Sequence, residues 1–205
     1  MARQLVGFAV GVGLLAGANG AWAQPADPPE TAELRVLVVN QVGARPEIVQ
    51  AAERDASAIY AAAGVRTAWV DADPGGTRVE DVDLTVVLAP DPKAAVVERN
   101  IKAVTLGFAA TEPDLPGLRG RVAWVFYGRV EQHAEHSHIQ ISRLCGLVMA
   151  HEIGHLVLPP GHSDSGLMRA TWLLQSGLLQ YFTNDQTEAM HTRIAVARAD
   201  LTGRN

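Results

Sequence analysis

Met149-Ala150-His151-Glu152-Ile153-Gly154-His155 is the stretch on which the reading of this chain turns. It runs on through Leu156-Val157-Leu158-Pro159-Pro160-Gly161-His162-Ser163 to Leu167-Met168. On a helix, positions four apart lie on one face, about one turn from each other. His151 and His155 therefore point the same way and can grip one metal ion. Glu152 sits about 100° round the helix from His151. It can reach a water on that metal without being a ligand. The pattern reads as a zinc hydrolase site with one catalytic Zn2+.

A catalytic zinc takes three protein ligands and leaves one position for water. The helix supplies two. Pro159-Pro160-Gly161 stops it, and His162 follows directly. His162 is read as the third ligand. Asp164 is its rival, since a carboxylate in this loop can also bind zinc. Water on zinc falls from its bulk pKa toward ~7. Glu152 then takes the water proton and passes it to a leaving amine. Amide hydrolysis is the natural reaction for such a set. Met168, just beyond the ligand loop, reads as a floor under the metal.

Working outward, 205 residues at 48% hydrophobic and 19% charged suit one globular domain with a sizeable core. The start is different. Met1-Ala2-Arg3-Gln4, the apolar run Leu5 to Ala16 and Ala21-Trp22-Ala23 have the form of a secretory signal peptide, 1–23. A secreted or periplasmic protein is expected, with no later membrane span. Residues 24–33 hold three prolines and read as a loose tether. The formal net charge is −5; removing Arg3 makes it −6. With no basic stripe, nucleic acid is not an expected partner. A peptide or protein substrate is, and a monomer is the expected state. The single cysteine, Cys145, excludes an internal disulfide and reads as a small buried hydrophobe.

The rest of the chain alternates. Leu34 to Asn40 is a strand for a sheet covered on both faces. Pro46 opens a helix whose buried stripe is Ile48, Ala52, Ala56, Ile59 and Ala63, with Gly64 as its C′ residue. Val65–Val70 and Val82–Ala89 are further strands. Val104 to Ala110 is a shorter strand whose glycine suits a sheet edge, and Val122–Tyr127 is a fifth. Lys93 to Asn100 can be read as short helix or loop. Glu131 to His138, with His133, His136 and His138, reads as a solvated loop or helix start rather than an accessory metal site. A long helix, Ile139 to Leu158, then carries the opening motif. Thr183 and Gln186 form a capping box for a last helix, with Phe182 before it and Met190, Ile194, Ala197 and Leu201 on its core side.

His151-Glu152-Ile153-Gly154-His155, Gly161-His162-Ser163 and Leu167-Met168 resemble the metzincin clan of zinc metalloproteases, nearest to matrixin-like members. The resemblance implies a three-His zinc site, Glu152 as general base and Met168 as the Met-turn residue. It implies an α/β (α+β) fold: a twisted, mostly parallel five-stranded sheet with an antiparallel edge strand, an active-site helix and a small, mostly helical C-terminal part. The catalytic domain would be 34–205, divided into an upper subdomain, 34–158, and a lower one, 159–205. The edge strand would pair with extended substrate through Thr105, Leu106, Gly107, Phe108, Ala109 and Ala110. The chain departs from the clan where Leu158 replaces the usual glycine and His162 comes one residue late, and again in the short stretch from His162 to Met168. Two other readings share the site: a zinc-bound peptide-binding module without catalysis, and a zinc hydrolase of a non-peptide amide.

Overall fold

The computed structural model describes residues 32–71, 82–91, 105–110, 117–118, 120–172 and 180–202. The expected signal peptide and most of the tether, the segment 93–100, Val104 and the apolar residues 173–179 lie outside them. All described residues belong to one compact unit, Thr31–Asn205.

Strand β1 (Ala32–Asn40) leads into helix α1 (Pro46–Ala62), and α1 into β2 (Val65–Asp71). Then follow β3 (Leu84–Ala89), β4 (Gly107–Ala110) and β5 (Arg121–Phe126). Helices α2 (Tyr127–His136), α3 (Ile141–Val157) and α4 (Asn184–Thr202) complete the order. The sheet order is β2-β1-β3-β5-β4. The β1–β2, β1–β3 and β3–β5 pairs are parallel; β4 runs antiparallel to β5 and lies at the edge. This is the α/β class expected, with a five-stranded mixed sheet and four helices among the described residues.

Side chains alternate across a strand, so each face has its own set. Leu34, Val36 and Val38 of β1, Leu84, Val86 and Leu88 of β3, and Ala123 and Val125 of β5 join one core with α1 and α3. Val87, Ala89 and Phe126 form a smaller cluster, with Val39, Val122 and Trp124 packed on it. Helix α3 is apolar nearly all round, and thirteen of its residues are buried. A helix of that composition belongs inside a domain. Two links lock α3 to α1: the Tyr60 hydroxyl donates to the Ala150 carbonyl at 3.0 Å, and Arg143 pairs with Asp55 at 3.0 Å.

Three sequence expectations change. The α1 stripe is Val49, Ala52, Ala56, Ile59 and Tyr60, while Ile48 is only partly buried. Glu131 to His136, expected within a solvated loop or helix start, belong to a full helix that opens at Tyr127, the expected end of the fifth strand, because Tyr127, Val130 and Ala134 recur on one buried face. His133, His136 and His138 are exposed, and among the described residues none of them belongs to a candidate metal group. Thr105 and Leu106 precede β4 rather than belonging to it. The Thr105 carbonyl accepts from Arg129 Nη1 at 2.9 Å, while Leu106 O still takes the Phe126 amide at 2.8 Å. Elsewhere element ends differ from expectation by one to three residues, with Gly64 in the positive-φ conformation (+70°) expected of a C′ residue.

Candidate metal centre

Helix α3 brings His151 and His155 together as their spacing demands. Their Nε2 atoms are 3.1 Å apart. The helix ends where the sequence said it would. Leu158 is extended (φ −109°, ψ 166°), because the residue before a proline is held out of the helical region. Pro159 and Pro160 follow, and Gly161 takes φ +116°, a region that side chains other than glycine's avoid. The turn returns His162 to the helix. Its ring lies 5.4 Å from that of His151 and 4.7 Å from that of His155. The ligand atoms of the three histidines all lie within 4.8 Å of one another. Asp164 is exposed and is not part of this group.

The donor set suits a metal ion. Tetrahedral zinc at ~2.05 Å from each nitrogen would set a ligand pair about 3.3 Å apart, close to the 3.1 Å observed. The tautomer of His151 is also determined. Its Nδ1 lies 2.9 Å from the Leu167 carbonyl oxygen, which can only accept. Nδ1 thus carries the proton, and Nε2 keeps its lone pair for a metal ion. The same carbonyl takes the Trp172 indole N–H at 2.8 Å, and the Trp172 ring stands edge-on to His151 at 5.1 Å. Burial lowers His151 and His155 to a pKa of about 4, so both are neutral at pH 7 and able to coordinate. Imidazole nitrogens suit zinc, and also copper, iron and nickel.

Glu152 is 7% exposed, and burial pushes its carboxyl up to about 8. It lies against the first residue of the edge strand. A Cβ on Gly107 would come within 2.6 Å of Glu152 Cγ and Oε1. The glycine read as an edge-strand feature is therefore the gap that admits this carboxylate. A second glycine has the same kind of role. A Cβ on Gly154 would stand 2.5 Å from Met168 Sδ, so Met168 packs directly on the motif helix. Met168 is 3% exposed.

Sequence reading missed several supports. Buried Arg121 donates from Nη1 to the Leu156 carbonyl at 3.0 Å, occupying one of the four carbonyls that a helix end leaves without intrahelical partners. The Trp172 bond to the Leu167 carbonyl is another. His191 Nε2 donates to the Ala63 carbonyl at 2.7 Å and closes the end of α1. None of these pairs is visible in local spacing, since the partners are far apart in sequence or joined by an irregular loop. No protein-family model matches this chain, and no curated protein does.

Proposed function

We propose that this chain is a zinc-dependent peptidase of metzincin type, matrixin-like in its ligand loop. The observation that carries the reading is the convergence of three imidazoles beside a buried carboxylate that borders an edge strand. His151, His155 and His162 would hold the ion. The chemistry a bound zinc supplies is Lewis acidity toward water and toward a carbonyl oxygen. Glu152 is the base, accepting the proton of the attacking water and returning it to the leaving amine. A dication held by the three imidazoles would favour the ionised carboxylate, the form that can accept a proton.

Strand β4 is the peptide platform. One side of it pairs with β5, and among the described residues no strand pairs with the other. An extended peptide can add there by main-chain hydrogen bonds, with its scissile bond brought toward Glu152. Phe108, 45% exposed and 5.9 Å from the Trp124 ring, flanks that path. Met168 is the floor beneath the imidazoles. The leader at 1–23 is read as an export signal, which makes the protein secreted or periplasmic. Among the described residues no helix is long and apolar enough to cross a membrane.

The test is zinc content together with cleavage of casein. Wild type is expected to hold one zinc and to cleave. Glu152→Gln keeps the zinc and loses roughly 10²- to 10⁴-fold in rate. Gly107→Ala leaves the carboxylate chemically intact but displaced, and drops the rate about 100-fold with zinc retained. Stoichiometric zinc without cleavage of any unfolded substrate would sink the peptidase reading in favour of a zinc-bound peptide-binding module.

A further inference from the structure

His162 is the one imidazole of the three that no helix orients. It is exposed, and it stands in an irregular loop. What holds that loop is its neighbour. The Ser163 amide donates to the Met168 carbonyl at 2.9 Å, closing the short stretch between ligand and floor. The Ser163 hydroxyl donates to the Ser165 carbonyl at 2.7 Å. The same hydroxyl oxygen accepts from Gln186 Nε2 at 2.9 Å. Nearby, the Leu167 amide donates to Tyr181 O at 2.8 Å. The loop thus rests on the segment that starts α4.

Gln186 is also half of the cap of that helix. Its Oε1 accepts from the Thr183 amide at 3.0 Å, and its own amide donates to Thr183 Oγ1 at 3.3 Å. These bonds set which way the carboxamide points. Oε1 must face the Thr183 N–H, so Nε2 faces Ser163. A capping box is equally well made with Glu at this position, and an acid there would suit the helix dipole. The cap has no use for Nε2. Only the ligand loop does.

We propose that Gln186 is a positioning residue for the third metal ligand, acting on His162 through Ser163. The inference rests on the zinc reading of the three histidines but not on proteolysis. The Gly161 turn brings His162 back to the helix, and the cap of the last helix then holds the loop that carries it.

The discriminating variant is Gln186→Glu, which can keep the cap and loses the donor to Ser163. Zinc affinity is measured by chelator competition, and the melting temperature on metal-free protein. Gln186→Glu is expected to melt within about 2 °C of wild type while its zinc affinity falls roughly 10- to 100-fold. Ser163→Ala is expected to lose a similar amount, and the double variant no more than about twofold beyond the worse single, since both break one contact. Wild-type zinc affinity in Gln186→Glu overturns the inference, as does full multiplication of the two losses. A wild type that binds no zinc overturns both the inference and the zinc reading. A wild type that binds zinc but cleaves nothing removes the peptidase reading alone.

Discussion

Two of the three imidazoles stand on a buried helix, and the third stands on an exposed loop. His151 and His155 inherit their geometry from helical periodicity, and α3 is gripped by α1 and the sheet. His162 inherits its geometry from a positive-φ glycine and from the hydrogen bonds of its neighbour Ser163 to residues 2 to 23 positions away. The helix half is rigid because its packing is dense; the loop half is placed only when the last helix is capped and docked. A metal site built this way has a scaffold side and a closing side, and they should fail differently.

The largest effect is expected where the two halves touch. Gly154→Ala forces Met168 away from the helix. Overpacking costs about 1–3 kcal/mol, and the helix propensity of alanine over glycine returns about 1 kcal/mol. Urea unfolding of the metal-free protein should show a net loss of up to about 2 kcal/mol, with weaker zinc binding. An unchanged zinc affinity would mean that the floor and the ligand loop are independent.

A pH profile separates the halves next. His151 and His155, at about 4 in the fold against an ordinary 6.5, refuse protons that the unfolded chain binds. Stability therefore falls as pH drops from 6.5 toward 4. Glu152, at about 8 against an ordinary 4.5, keeps a proton that the unfolded chain loses. Its contribution falls as pH rises from 4.5 to 8. Between 4.5 and 6.5 two imidazoles outweigh one carboxyl, and above 6.5 only the carboxyl acts. The metal-free melting temperature should peak near pH 6.5 from these groups, and Glu152→Gln should flatten the alkaline side. An alkaline side that survives in the variant would place its cause elsewhere. Added zinc should steepen the acid side, because protons compete with the metal for nitrogen.

The smallest effect probes the scaffold alone. Cys145 is fully buried on α3, and burial pushes its thiol up to about 12. Ellman's reagent at pH 8 should leave it untouched in the native protein and react at once in urea. Reaction in the native state, with or without zinc, would show that the helix half opens as readily as the loop.

Much of this was legible in the chain, for local reasons. Five strands and an edge glycine could be read because strands covered on both faces are nearly continuous apolar runs. The capping box at Thr183 and Gln186 was readable because its partners are three residues apart. Helix α2 was not, since its apolar positions are only Tyr127, Val130 and Ala134 among charged and histidine residues, and their burial depends on what packs there. Ile48 was assigned to the stripe on spacing alone, while Val49 and Tyr60 occupy it.

The sequence by itself determined that His151, Glu152 and His155 share one helix and that Pro159 and Pro160 end it, because helical spacing and the proline ring act over a few residues. Only the tertiary structure decided that His162 and not Asp164 joins the pair, that Leu167 sets the tautomer of His151, and that Gly107 makes room for Glu152. Those are contacts between segments up to 45 positions apart, and they form only when the sheet edge, the motif helix and the cap of the last helix pack together.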